Sequence, residues 1–498
     1  MRKTNRKIVI NTGIYEDRVA ILQNGRLEEF YIEQQDTEKL FGNIYKAIVD
    51  SVVPGIGAVF VNIGTGKNGF LYMHDVQDKA SILDEDADDF IIEHPGRDKQ
   101  RDLGKYLKKG QEILVQVEKE SIGDKGPRLT TQISIPGRYL VLTPLDDSLG
   151  ISKRISDPEE RNRIRNIIKQ QRLPKGIGCI VRTAAKGIPP KNISREVRYL
   201  IKLWSNIHGR TRKANPPVAL YEECSLMLRI LRDQFTEDVD EVIIDQKEAY
   251  KNAVRFMSLF MPSLKPRIKF YNVKTPIFEK YGLARDIENI FKRKIPLRNG
   301  GSIVIDETEG MVAIDVNTAR YTGKSDVDET IFKTNMEAAR EIARQIRLRD
   351  IGGIIIIDFI DMRSKDHRRR IENMLEDSFR RDKAKSKIIG MSPIGVVEMT
   401  RQRVRKSLES SMYSKCPNCR GRGLIKSDIT VSMQVLREIE RVSHITRARR
   451  IDVWIHPTIF AYLMEREKDL VIPLQKRCRK SVTFYRDESL NREDMRVK

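Results

Sequence analysis

The sequence predicts a multidomain protein of mixed α/β and α+β class, on three observations. Its 498 residues exceed what one hydrophobic core normally serves. The first 130 residues alternate apolar and polar positions between Gly and Pro turns, the pattern of short strands. Beyond residue 300, two apolar strands flank one long amphipathic helix, which is a βαβ unit with a right-handed crossover.

Residues 1–35 alternate around Gly13 and the turn Asn24-Gly25, as in Lys7-Ile8-Val9-Ile10 and Arg18-Val19-Ala20-Ile21-Leu22, and read as antiparallel strands. From 36 to 130 the runs NIYKAIVDSVVPGIGAVFVNIG, KNGFLYMHDV, GQEILVQVEKE and RLTTQIS predict a small barrel of the OB type. Its middle, Leu83 to Lys105, is strongly charged and reads as a loop. Residues 131–216 hold a strand in GIGCIVRTAAKG and a helix from Ser194 to Trp204, then close on the basic linker HGRTRKANPP. Residues 217–290 mix helix, strand and helix in CSLMLRILRDQF, EVIIDQ and YKNAVRFMSLF. The hairpin GGSIVIDETEGMVAID opens the βαβ unit, whose helix runs from Asp326 to Arg349 and whose second strand is GGIIIIDFID. Helix 364–383 follows, with Ile371, Met374, Leu375, Ser378 and Phe379 on one face. The turn CPNCRGRG leads to a last helical and β segment, 427–498.

Lys and Arg number 92 against 70 Asp and Glu, a net charge of +22 and a pI near 9.6. Such a surplus favours a polyanionic partner, because each Lys or Arg that meets a phosphate releases condensed counterions. The longest apolar run, Ile351 to Ile357, is far short of the ~20 residues that span a bilayer. The basic N-terminus precedes only Ile8-Val9-Ile10, too short for a signal-peptide core. Five cysteines are an odd number for a disulfide framework, so the expected compartment is the reducing cytoplasm.

Asp315 and Asp358 each close an apolar strand of the βαβ unit, so both carboxylates are expected at the same edge of the sheet, where α/β proteins bind ligands. Mg²⁺ takes oxygen ligands and often uses one or two carboxylates plus phosphate oxygens and water. In a basic chain this pair suggests a Mg²⁺ site acting on phosphodiesters. Asn317 points to the same side as Asp315 on a continuing strand and is a candidate to orient it. Asp at a strand end also serves simply to start a loop or cap a helix, and the sequence leaves both roles open. The six histidines are scattered, and no Ser-His-Asp or Cys-His set competes.

Cys416 and Cys419 form half of a tetrahedral Zn²⁺ site, and no second CxxC exists in the chain. Either another subunit completes the site or the pair is a redox dithiol. The redox reading wants a thioredoxin-like βαβ context at the CxxC, which the sequence does not show. Shared zinc is therefore favoured, with an even number of chains. In the barrel, Phe60, Phe70 and Tyr72 fall on successive strands and Lys125 on a Gly-flanked turn. Aromatics of this kind either stack on the bases of a single strand or fill the barrel core.

With these segments in order, the chain resembles the ribonuclease E/G family, closest to its shorter, ribonuclease G branch. The resemblance runs to about residue 450 and is carried by NIYKA, AVFVNIG, YLVL, IVRTA, the blocks around Asp315 and Asp358, EMTRQR and the CxxC turn. It implies an RNase H-like domain split between 1–35 and 217–290, an OB-fold RNA-binding domain over 36–130 and a 5′-sensor over 131–216. A DNase I-like catalytic domain over 291–412, a zinc link over 413–426 and a small domain over 427–498 complete the expected organisation.

The resemblance further implies a Mg²⁺-dependent endoribonuclease of rRNA processing and mRNA decay. Its expected substrate is single-stranded, A/U-rich RNA with a 5′-monophosphate, cut to 5′-phosphate and 3′-hydroxyl products. The family's metal aspartates match Asp315 and Asp358, its orienting Asn matches Asn317, and its zinc cysteines match Cys416 and Cys419 in a homodimer or homotetramer. RNA contacts fall on Phe60, Phe70 and Lys125, and a 5′-phosphate pocket on Gly137, Val141, Arg182 and Thr183. Where ribonuclease E has a further Arg at that pocket, this chain has Lys153 beside Arg154. A non-catalytic RNA-binding protein and a DNA nuclease with a similar metal site are the alternatives.

Overall fold

The computed structural model describes residues 5–34, 39–72, 75–76, 90–91, 107–121, 126–308, 310–318, 327–380, 382, 384–392, 394–403, 407–414, 416–419 and 421–498. They form two compact units, residues 1–405 and 406–498. The last residues of the expected catalytic domain, 406–412, therefore go with the second unit.

Strands β1 (Arg6–Thr12), β2 (Glu16–Gln23) and β3 (Arg26–Gln34) form an antiparallel meander turned at Asn24-Gly25, both with positive φ. The next strands are β4 (Ile44–Val53), β5 (Ala58–Asn62), β6 (Gly69–Tyr72), β7 (Phe90–Ile91), β8 (Glu112–Lys119) and β9 (Arg128–Thr130). Pairings β4–β5, β5–β6, β6–β9, β9–β8 and β8–β4 close a five-stranded barrel. Its core is mostly aliphatic, built from Val49, Val59, Val61, Leu71, Val117 and Leu129 among others, with Tyr45. Most of the charged stretch 83–105 lies outside the described residues, but β7 within it is a strand where a loop was expected.

Then come β10 (Ile135–Pro136), β11 (Leu140–Pro144), β12 (Asp146–Ser152), α1 (Pro158–Gln170), β13 (Ile177–Val181), α2 (Pro190–Thr211) and β14 (Val218–Tyr221). Strands β10, β11, β13, β12 and β7 make one sheet, on which α1 and α2 bury Ile164, Ile168, Ile193, Val197 and Leu200. Strand β14 instead pairs with β4 and extends the barrel sheet. Residues Val218–Tyr221, expected in the second half of the split domain, thus pair with the barrel sheet.

Helices and strands α3 (Leu226–Gln234), β15 (Glu241–Ile244), α4 (Lys247–Phe260), β16 (Ile268–Phe270), α5 (Ile277–Lys280) and α6 (Leu283–Ile290) return to the N-terminal meander. Strands β15 and β16 add in parallel to β1, giving a five-stranded sheet from two distant segments.

The unit ends with β17 (Lys294–Pro296), β18 (Ser302–Glu307), β19 (Met311–Asn317), α7 (Val327–Leu348), β20 (Gly353–Asp358), α8 (Lys365–Phe379), β21 (Ser386–Met391) and β22 (Val396–Arg401). The sheet order is β17-β18-β19-β20-β22-β21, and only β19 and β20 are parallel. Alternation decides its two faces. Val312, Ile314 and Val316 of β19 are buried with Ala338, Ile342 and Ile346 of α7 and Ile371 and Leu375 of α8. Met311, Ala313, Asp315 and Asn317 are exposed on the other face.

The second unit holds α9 (Leu408–Met412), α10 (Asp428–Ile445), β23 (Arg450–Ile455), α11 (Pro457–Arg466), α12 (Lys468–Cys478), β24 (Ser481–Arg486) and β25 (Met495–Val497). Strands β23 and β24 are parallel across α11 and α12, and β25 pairs antiparallel to β23. No helix of the described residues is long and apolar enough to cross a membrane.

Candidate active site

Asp315 and Asp358 are register partners across the parallel pair β19–β20. Partners of this kind project to one face from strands about 4.8 Å apart, and both residues are exposed. Asp358 closes its strand, but Asp315 does not. Strand β19 continues to Asn317, because Ser302 of β18 still pairs with it. The two carboxylates therefore stand on the open face of the sheet near its end, not beyond its edge. Asn317 Nδ2 donates to Asp315 Oδ2 at 2.6 Å, which fixes one carboxylate oxygen and leaves the other open.

Among the described residues no group of three or more His, Cys, Asp or Glu converges as a metal cage. Two carboxylates on adjacent strands still fit Mg²⁺, which keeps most of its octahedral shell for water and substrate phosphate. Behind the pair, Asn335 of α7 is fully buried. Its Nδ2 donates to Ile360 O at 2.8 Å and its Oδ1 accepts from Ile360 N at 3.2 Å. Arg368 Nε donates to Met362 O at 2.7 Å, and Phe359 and Met362 are buried, so the segment after Asp358 is anchored at several points.

Arg182 and Thr183 come directly after β13. Arg182 Nη1 donates to Gly137 O at 2.7 Å and to Asp233 Oδ1 at 2.9 Å, and Thr183 Oγ1 lies 3.0 Å from Ser152 Oγ. Gly137 holds its place for a steric reason. A Cβ there would run into Glu196 Oε1 and would sit 2.8 Å from Leu140 O. Glu196, on the buried side of α2, accepts from the amides of Arg138 and Tyr139, the latter at 2.9 Å. Burial pushes its carboxyl up to about 7, against the pull of those amides and of Arg182 and Arg138. Val141, expected beside this pocket, is 1% exposed within β11, opposite Ile180, so its side chain is packed within the fold.

Phe60 and Phe70 are register partners on β5 and β6, with ring centroids 4.8 Å apart. They alternate with the core residues Val59, Val61 and Leu71 and so sit on the barrel's outer side, half-buried. Tyr72 continues that side, with the Arg128 guanidinium 5.5 Å above its ring. Lys125 lies outside the described residues.

Comparison with known proteins bears on all of these segments. Residues 134–404 match the Ribonuclease E/G family, 41–132 the S1 RNA binding domain, and 415–498 the RNase E/G, Thioredoxin-like domain. The chain is 36% identical over 492 residues to Ribonuclease G of Salmonella typhimurium (strain SL1344), covering 99% of both proteins. It is equally similar to Ribonuclease G of Escherichia coli (strain K12), and 35% identical over 475 residues to Ribonuclease E of that strain, covering 44% of the latter.

The chain belongs to the ribonuclease E/G family.

Likeness to these ribonucleases covers the last 48 residues as well, beyond the expected limit near 450. It also corrects the reading of the CxxC context. A thioredoxin-like domain is present, with the parallel pair β23–β24. Cys416 and Cys419 nevertheless precede α10, whereas the helix after β23 starts at Pro457 behind His456. They do not occupy the helix start that thiol redox chemistry uses. The amides of Gly423 and Gly421 pull the Cys419 thiol below its usual value, with Cys416 and the Arg422 amide adding to this. A turn that points amides at sulfur favours the thiolate, the form that binds metal.

Sequence reasoning missed Asn335, Glu196 and Asp233. The first two carried a signal: each is a polar residue inside an apolar stripe, Asn335 between Phe332 and Ala338, Glu196 between Ile193 and Val197. Asp233 carried none, because its partner Arg182 is distant in sequence.

Proposed function

We propose that this ribonuclease E/G family member is a Mg²⁺-dependent endoribonuclease cutting single-stranded, A/U-rich RNA, with preference for 5′-monophosphate ends, in rRNA processing and mRNA decay. The endoribonuclease class comes from the family. The carrying observation for the chemistry is the register of Asp315 on Asp358, with Asn317 bonded to Asp315. Asp315 and Asp358 would hold the metal. Mg²⁺ bound there supplies charge neutralisation on a phosphodiester and a lowered water pKa, giving 5′-phosphate and 3′-hydroxyl products. Asn317 keeps the Asp315 carboxylate in one rotamer, and the β18–β19–β20 ladder keeps the two acids together. Phe60 and Phe70 offer ring surface to unpaired bases, worth ~1–3 kcal/mol per stacked base. Arg182 and Thr183 supply a guanidinium and a hydroxyl for a terminal phosphate. Cys416 and Cys419 supply half of a zinc site shared in a homodimer or homotetramer.

The test uses 5′-monophosphate, 5′-hydroxyl and DNA versions of one single-stranded oligonucleotide. We expect Mg²⁺-dependent cleavage of both RNAs, faster for the monophosphate, with ligatable 5′-phosphate products. Asp315→Asn and Asp358→Asn should each lower kcat by at least ~100-fold, the loss of several kcal/mol of transition-state charge stabilisation, with RNA binding retained. Wild-type cleavage rates in both variants, or binding without cutting by the wild type, would overturn the catalytic assignment. Equal cutting of DNA would overturn the RNA specificity.

A further inference from the structure

We propose that the solvent face of α2 is a second RNA-binding track that grips the phosphate backbone irrespective of sequence and of the 5′ end. Lys191, Arg195, Arg198 and Lys202 recur along this helix at spacings of four, three and four residues. That repeat puts all four on one stripe. The opposite side of the helix carries the buried Ile193, Val197, Leu200, Trp204 and Ile207, so the stripe faces water. It is ~17 Å long at ~1.5 Å rise per residue, about five phosphates of a stacked strand at ~3.4 Å each.

What distinguishes this stripe from an ordinary solvated helix face is that, among the described residues, no acidic side chain pairs with it. Exposed helices usually alternate sign, so that residues three and four apart attract. Here the neighbours three and four apart along the stripe are cations that repel each other, and the other residues at those spacings carry no acid. The only carboxylate of the helix, Glu196, points inward and is held by backbone amides. Nearby arginines are matched: Arg163 bonds Glu160 at 2.6 Å, Arg182 bonds Asp233 at 2.9 Å and Arg232 bonds Glu223 at 2.9 Å. Among the described residues none of the four stripe cations has an ion pair, and the Arg198 Nε contact to Ser194 O at 3.3 Å lies along the helix itself. Three further cations, Arg210, Arg212 and Lys213, continue the segment past Lys202 without another acid. A helix that accepts this self-repulsion is favoured when a polyanion covers it. With a net charge of +22 and a family of RNA-cutting enzymes, single-stranded RNA is the fitting occupant.

The inference rests on the ribonuclease reading but not on the 5′ pocket or the metal site. Its test is the combined variant Lys191→Gln, Arg195→Gln, Arg198→Gln, Lys202→Gln, which keeps helix propensity and alters no buried residue. A control variant removes the same charge from exposed positions elsewhere: Lys265→Gln, Lys274→Gln, Lys280→Gln, Arg285→Gln. Binding of a long single-stranded RNA is measured against salt, with 5′-monophosphate and 5′-hydroxyl ends. The stripe variant should weaken both RNAs by ~10-fold or more and reduce the magnitude of the log–log salt slope by about 2 to 3, at ~0.7 per phosphate contact. It should raise KM for the long RNA, leave kcat unchanged and preserve the 5′-end preference. The control should change affinity by less than about threefold. An unchanged salt slope in the stripe variant, or an equal loss in the control, overturns the track. That result would leave the face to a protein partner or to the general field of the molecule. A wild type that neither binds nor cuts RNA would instead overturn the ribonuclease reading itself.

Discussion

Gly137 and Glu196 show how one residue can depend on another far along the chain. Glu196 needs the two amides of Arg138 and Tyr139, and those amides reach it only if position 137 has no side chain. Gly137→Ala should therefore cost ~2 kcal/mol or more, as overpacking without room to relax does, read as a lowered denaturation midpoint. It should also weaken discrimination between 5′-monophosphate and 5′-hydroxyl RNA, since Gly137 O holds Arg182. Glu196 itself makes a pH prediction. Its folded pKa is raised to about 7 by burial, so the folded state keeps a proton that the unfolded chain releases above the ordinary range near 4.5. The resulting stability is fully present below about 4.5 and lost as pH rises through 7. Denaturation of wild type and Glu196→Gln from about pH 5 to 8 should show this slope in the wild type alone; parallel curves would refute it. The pairing of Asp315 with Asp358 was legible in the sequence because each ends an apolar run of the βαβ unit. Gly137 was named from family resemblance, but its reason was not legible, because the clash involves a side chain on a helix more than fifty residues away.

At the scale of elements, the β17–β22 sheet carries Asp315 and Asp358 on a face that none of the described helices covers, while α7 and α8 pack the other. The expectation of an edge site came from applying the rule for parallel sheets to a sheet in which only one pair is parallel. Antiparallel β18 carries the pairing two residues beyond Asp315, and sequence periodicity cannot count how far a partner strand extends. The helices and most strands were legible: the crossover helix was expected over 326–349 and spans Val327–Leu348. The return of β14 to the barrel was not, since four residues of ambiguous pattern come after a linker. Helix α7 does more than cover the sheet, because Asn335 acts as a strand-like partner for Ile360, two residues past Asp358. Asn335→Ala would leave the half-buried amide and carbonyl of Ile360 without their partner, at up to ~1–3 kcal/mol for each group. We expect ~2–4 kcal/mol of lost stability and a several-fold rise in the Mg²⁺ concentration needed for half-maximal activity, with KM for RNA nearly unchanged. Normal Mg²⁺ dependence in a destabilised variant would limit Asn335 to a purely structural part.

For the whole molecule, the proposed shared zinc site makes a prediction about assembly. Each chain brings two sulfurs in one tight turn, with glycine amides already biasing Cys419 toward thiolate. Zinc in a structural site takes four ligands. A symmetric pair of chains supplies four by presenting the same turn twice, which is an isologous contact and closes the assembly at an even number. The proposed active site does not need this contact: Asp315, Asp358 and Asn317 all come from one sheet of one chain. Removing zinc should therefore divide the assembly without dismantling the carboxylate pair. We expect about one zinc per two chains by elemental analysis. A strong chelator, or Cys416→Ser with Cys419→Ser, should then shift the mass by light scattering to a smaller species. That species should keep its first unit folded and still bind RNA through the S1 barrel, with affinity for long RNA reduced because two tracks are no longer linked. Zinc-free protein of unchanged mass would show that other surfaces hold the chains together and that Cys416 and Cys419 are free thiols. A stoichiometry of one zinc per chain would show that the missing ligands are found within each chain.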